Sequence, residues 1–236
     1  MPPVPPPPVP SRPEPTGPPL PALDRLRGPL DLARRWAGED RIALIVSGSH
    51  ATGDGVWAIA AGRPVSLSDL DLYAVVPDRG ARARALERAS AEREGLGGRL
   101  EAMGLAAPLE VGFHTPEDLA ALPARPGTLD LRRHGRVVDG DPSWLERVPA
   151  WTARDVSAEE VWLLLENRAF ELLWAGHSAP DDPPLMALRR RHAVLKCALD
   201  LASVAALGAG EYAQGAPARV AWARQRWDRG HAPEPP

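Results

Sequence analysis

The sequence predicts an α/β fold over its first half and an all-helical second half, on two observations. Between residues 22 and 113, short apolar runs of strand length alternate with stretches of helical periodicity, the pattern of a small mixed sheet flanked by helices. From Ser157 onward only the helical period remains. The resulting division is an α/β domain over 22–149 and a helical domain over 150–229.

The elements follow in order. "MPPVPPPPVPSRPEPTGPPLP" opens the chain, too rich in proline to sustain a helix or a ladder, and reads as a polyproline II or disordered tail over 1–21. A partner groove is one use for such a segment, because its ordering cost is small; a solvated tail without chemistry is the other. "HAPEPP" closes the chain in the same way, and 230–236 is read as a second tail. Ala22–Ala37 carries leucines at helical spacing and stops at Gly38. Ile42–Val46 is a buried-type strand by its length and branching, Leu70–Val76 a second, and Pro108–Phe113 a short third. Between the last two, Gly80–Met103 reads as a long charged helix with a weak spot at "GLGG". Helices are then predicted over Ala158–Ala175, Leu185–Leu207 and Pro217–Trp227.

Composition narrows the function classes. The chain has 236 residues and a formal charge of -3, which argues against a general nucleic-acid binder and favours small-molecule or protein substrates. The single Cys197 allows neither an internal disulfide nor a cysteine metal cluster, so a reducing compartment is expected, and Cys197 itself reads as a buried apolar side chain. No apolar run approaches the roughly 18 residues needed to span a bilayer, and the opening lacks the basic-then-apolar plan of a secretory signal. A cytoplasmic protein without a membrane partner is the expectation.

The chemistry is concentrated in the first half. "IALIVS" runs straight into Gly48 and Ser49, and "SDLDLYAVV" follows with Asp69 and Asp71 at alternate positions of a strand. Alternation puts both carboxylates on one face, where like charges repel unless a cation lies between them. Glu110 occupies an in-strand position of the third strand, within reach if the two strands are neighbours, since paired strands lie about 4.8 Å apart. Three hard oxygen ligands without His or Cys suit Mg2+ or Mn2+, ions that bridge nucleotide phosphates during in-line displacement. Gly-Ser at a strand end lets the backbone turn closely and offers N–H groups to a phosphate. Asp-x-Asp also arises by chance on solvated strands, and Glu110 at a sheet edge would leave Asp118 as another acidic candidate. A phosphate-binding loop in "GSHATGDG" is excluded, because its closing Lys and hydroxyl are missing. "SGSHA" lacks the nucleophile-elbow pattern, and His50 and His114 have no metal-ligand spacing and read as supporting or surface residues.

Gly48, Ser49, Asp69, Asp71 and Glu110, in that order on predicted strands, resemble the nucleotidyltransferase fold of the DNA polymerase beta superfamily. The resemblance covers roughly Ile42–Pro149, and the helical remainder is similar to the accessory bundle that often follows such domains. Its spacer between Ser49 and Asp69 is several residues longer than the family's, which suggests an inserted hairpin at "GVWAIAAGRPVS". The resemblance implies transfer of a nucleoside monophosphate from a nucleoside triphosphate such as ATP to a hydroxyl acceptor on a small molecule or a protein. Asp69, Asp71 and Glu110 would be catalytic metal ligands, with Glu110 also a general base, and Gly48 and Ser49 would hold the triphosphate. A non-catalytic nucleotide sensor or partner-binding protein of the same fold is the alternative.

The helical half adds a charge signal. Leu185–Gly230 holds eight basic against three acidic residues, a local +5 in an acidic chain. Lys196, the chain's only lysine, lies seven residues after Arg189, so the two share a helix face that can meet a triphosphate or simply be solvated. Trp151, Trp162 and Trp174 read as packing between the helices and the sheet.

Overall fold

The computed structural model describes residues 21–177 and 183–228. The proline-rich tails, with the partner-groove reading of the first, lie outside the described residues apart from Pro21. Where the sequence predicts one helix over Ala22–Ala37, the chain forms a single turn, α1 (Pro21–Asp24), and a separate α2 (Arg27–Ala37). Pro29 is the reason. It lacks an amide donor and is tolerated in a first turn, so the helix restarts just ahead of it.

Strand β1 (Ala43–Ser47) runs into the short helix α3 (Gly48–Thr52). The predicted insertion is a hairpin of β2 (Trp57–Ala60) and β3 (Arg63–Ser66), closed at Ala61 and Gly62 with φ of 49° and 75°, the positive values of a two-residue turn. β4 (Leu70–Val75) follows, then α4 (Arg79–Ala91), whose N-cap Asp78 accepts from Ala81 N–H. The long charged helix of the sequence reading breaks before α5 (Leu96–Ala102): Gly95, the first glycine of "GLGG", takes φ of 63° and ends the run. β5 (Leu109–His114), α6 (Pro116–Ala120), α7 (Pro126–His134) and β6 (Arg136–Asp139) complete the sheet region. The last three were not predicted. β6 spans only four residues, and α6 and α7 are brief helices started by prolines at N1.

The sheet has the order β5-β4-β1-β6, with β1 antiparallel to β4 and β6 and β4 parallel to β5. It is small, mixed and covered on both faces. Leu44 and Val46 of β1 pack with Leu70, Leu72 and Ala74 of β4 beneath α2, α4 and α5, while Ala43, Ile45 and Val75 face Leu119 of α6 and Leu131 of α7. A central strand buried on both faces reads as a continuous apolar run, as "ALIV" does.

Beyond two short 3-10 segments the chain is helical: α8 (Ala158–Gly176), α9 (Pro184–Gly208) and α10 (Gly215–Asp228). α8 and α9 close on a small core of Val161, Val204 and Leu207. Leu185 at the start of α9 packs on Val65 of the inserted hairpin and on Leu67 and Ala106 beside it, so the hairpin is one support of α9. Trp151, Trp162 and Trp174 do not pack between helices and sheet as the sequence suggested; they are 37%, 58% and 41% exposed. Trp151 lies ahead of the helices and donates to the Leu122 carbonyl, and Trp174 lies beside the Arg189 and Arg190 guanidinium groups. Among the described residues, no helix is long and apolar enough to cross a membrane.

Leu72 is 2% exposed at the centre of the larger core. Leu72→Ala is expected to lower unfolding free energy by about 2–5 kcal/mol, read from urea denaturation, through lost transfer energy and the cavity left behind.

Candidate active site

Alternation along β4 places Asp71 on the face of Tyr73 and Val75, and Asp69 precedes the strand on the same side. The parallel register sets Asp71 opposite Glu110, while antiparallel pairing with β1 sets it opposite Ser47, the residue before Gly48. All three acidic residues line one cleft of about 1170 Å3 between the sheet edge and the C-terminal helices, together with Gly48 and Ser49. Gly48 has φ of 64°, and a Cβ there would stand 2.5 Å from Asp71 Oδ2. Only glycine lets the backbone pass so close to that carboxylate.

Burial pushes the Asp71 carboxyl up to about 7, reinforced by the negative charges of Asp69 and Glu110, with Asp130 adding to the effect and Lys196 opposing it. The charge on Asp69 is offset across the cleft, where Lys196 Nζ donates to Asp69 Oδ2 at 2.7 Å and lies 3.7 Å from Glu171 Oε1. Burial opposes the Lys196 ammonium, but Asp69 and Glu171 outweigh it and hold the group above its ordinary range. Arg189 does not reach the main cleft. Its guanidinium lies 5.5 Å from the Trp174 ring centre, in a side recess that also borders Asp69, Glu110 and Lys196.

The three carboxylates line the same cleft, and among the described residues no group of three or more His, Cys, Asp or Glu side chains is placed to hold an ion. Asp69 is turned to Lys196, and Glu110 stays exposed on the edge strand β5. What does fit a hard divalent ion is the pair Asp69 and Asp71, because Mg2+ is commonly held by one or two carboxylates with phosphate oxygens and water completing its shell. Burial is the larger cause of the raised Asp71, and the charges of Asp69 and Glu110, which a bound cation would offset, are the smaller.

His50 lies under this site, 1% exposed, with Nε2 3.2 Å from the Ser68 carbonyl and 3.0 Å from Ser66 Oγ. Burial lowers its basicity, so it is a neutral brace under α3. Ser68 Oγ accepts from Val56 N–H at 2.9 Å and ties the hairpin to the approach of β4. His114 is at the far end of β5, stacked on Tyr73 with ring centres 5.2 Å apart. Asp118 caps α6 through Thr115 and pairs with Arg82, outside the cleft.

Several cleft residues escaped the sequence reading. Asp130 of α7 accepts from the Tyr212 hydroxyl, which joins the sheet region to the α9–α10 connection. Asp200, 7% exposed in α9, pairs with Arg168 of α8 at 2.8 Å and Arg219 of α10 at 2.7 Å. A lone acid in the apolar run "CALDLASVAAL" was the available signal, since a buried charge needs a partner. Nothing local marks Asp130 or Arg168.

No protein-family model matches the chain, and no curated protein matches it in sequence. Among solved structures it is similar to a spectinomycin adenyltransferase from Enterococcus faecialis, crystallised with ATP and spectinomycin, at 11% identity and a TM-score of 0.39, over 75% of this chain and 88% of that one. At that identity and score the likeness decides nothing about this chain.

The folded protein keeps the Asp71 proton between about pH 4 and pH 7, where the unfolded chain has released it, so this residue weakens the fold as pH rises through that window. Asp71→Asn is therefore expected to be more stable than the parent by about 1–2 kcal/mol at pH 8 in metal-free buffer, after discounting for solvent screening, with the gain vanishing near pH 4. Thermal melts of both proteins across pH 4–8 check this, and a constant difference would remove the account of a carboxyl raised by burial and by its charged neighbours.

Proposed function

We propose that the chain is a metal-dependent nucleotidyltransferase that moves a nucleoside monophosphate from a nucleoside triphosphate to a hydroxyl on a small molecule or protein. The observation that carries this reading is the register Asp71↔Glu110 beside Asp69, at a cleft whose backbone is pressed against Asp71 by Gly48. In this reading residues 22–149 form a nucleotidyltransferase-like domain and 150–229 a helical domain that closes the cleft.

Asp69 and Asp71 hold the ion. When bound, Mg2+ or Mn2+ neutralises charge on the phosphates and orients them for in-line displacement. The backbone N–H groups at Gly48 and Ser49 hold phosphate oxygens, and Lys196 adds a positive charge from the opposite wall, with Arg189 behind it in the side recess. Glu110, exposed on the edge strand, is free to meet an acceptor and take its hydroxyl proton as the acceptor oxygen bonds to the α-phosphorus and the α-phosphorus bond to the departing pyrophosphate breaks, the proton then passing to solvent. The inserted hairpin supplies an apolar wall through Trp57 and Ile59, against which a base or an acceptor ring can lie.

The test is incubation of the full chain with each labelled nucleoside triphosphate and Mg2+ in the presence of a cell extract, to see which molecule becomes labelled. Transfer that disappears in Asp71→Asn supports the reading; undiminished transfer in that variant removes it. Metal-dependent nucleotide binding without turnover in any extract would establish the sensor alternative. Glu110→Gln is expected to slow transfer by roughly 100-fold or more while changing nucleotide affinity less than threefold, the split of a group that acts on the acceptor in the transition state. Single-turnover rates and equilibrium binding separate the two quantities.

A further inference from the structure

One member of the carboxylate pair has a cationic partner within the chain itself. Lys196 Nζ sits 2.7 Å from Asp69 Oδ2, with both side chains 28% exposed, and it is the only lysine in the sequence. It is supported from behind. Glu171, 3.7 Å from the same ammonium, is paired with Arg168, which in turn pairs with buried Asp200 and, through it, Arg219. Three helices therefore aim one cation at one carboxylate of the site.

An ammonium and a divalent ion cannot both sit against the same carboxylate oxygen without strong repulsion at that distance. A triphosphate supplies the alternative partner, since its anionic oxygens can take Lys196 as Asp69 is given up. We infer that Lys196 is the resident counter-ion of the carboxylate pair and is passed from Asp69 to the triphosphate when metal and nucleotide enter together. This rests on the nucleotidyl-transfer reading above. Its consequence is that the protein is a poor binder of metal alone.

Two effects of opposite sign follow for one substitution. Mn2+ binding to the full chain, followed by electron paramagnetic resonance, is compared for the parent, Lys196→Gln and Lys196→Arg, with and without a non-hydrolysable ATP analogue. Lys196→Gln keeps a hydrogen-bond donor toward Asp69 and loses the charge; it should bind Mn2+ alone about tenfold more tightly and Mn2+ with the analogue about tenfold more weakly. Lys196→Arg keeps the charge and should stay close to the parent with Mn2+ alone. A measurement on the parent stands beside these: with 13C-labelled lysine the chain carries one lysine side-chain signal, expected to move when Mg2+ and the analogue are added together. If the parent binds the analogue while Lys196→Gln leaves Mn2+ affinity unchanged, or the lysine signal stays put, the counter-ion role is overturned and the transferase reading survives. If the parent fails to bind any metal–nucleotide pair, both are overturned.

Discussion

Lys196 and Asp69 are 127 residues apart in sequence and 2.7 Å apart in space, and the charge they offset is the constraint around which the cleft is arranged. Strand pairing forces Asp71 and Glu110 into neighbouring positions, and the two-residue spacing brings Asp69 to the same side. Backbone geometry thus concentrates negative charge at one end of the sheet. The single ammonium reaches Asp69, and Asp71 is left to retain its proton close to neutral pH. Burial is the larger cause of that retained proton, and the neighbouring carboxylates add to it.

The helices that deliver Lys196 are held by polar contacts as much as by apolar ones. Asp200 is enclosed by Arg168 and Arg219, one from each neighbouring helix, and the Tyr212 hydroxyl bonds to Asp130 across to the sheet region. Buried ion pairs are weak sources of net stability, because desolvation offsets their attraction, but they are demanding about geometry. The small apolar core of Val161, Val204 and Leu207 allows α8 and α9 to pack in many ways; a carboxylate that must meet two guanidinium groups allows few. The inserted hairpin plays the corresponding part at the other wall, receiving Leu185 on one side and presenting Trp57 and Ile59 to the cleft on the other.

Support beneath the acidic residues is equally specific. Gly48 is the residue that lets β1 turn into α3 against Asp71, and His50 fills the space below with a neutral ring held by Ser66 and Ser68. The serine that precedes Asp69 fastens the hairpin to the strand carrying the chemistry. A long spacer between Gly-Ser and the aspartates therefore leaves their geometry intact, because the hairpin returns the chain to the place it left.

Much of this was legible in the chain itself, wherever a local pattern carries its own geometry. β1 and β4 followed from apolar runs, the side shared by Asp69 and Asp71 from the period of two, the inserted hairpin from a spacer longer than that of the family the chain resembles, and the weak spot at Gly95 from its glycines. Elements too short to show a period, such as β6 and α7, leave no mark in the sequence, and the leucine spacing of 22–37 hides the restart of α2 ahead of Pro29. Tertiary structure alone decided that β4 and β5 are parallel neighbours in the register pairing Asp71 with Glu110, that Lys196 and not Arg189 contacts an aspartate of the pair, and that Asp130 and Asp200 join the cleft. Those facts depend on how separate elements meet, and a sequence period specifies which face a residue occupies on its own element, not what will stand opposite it.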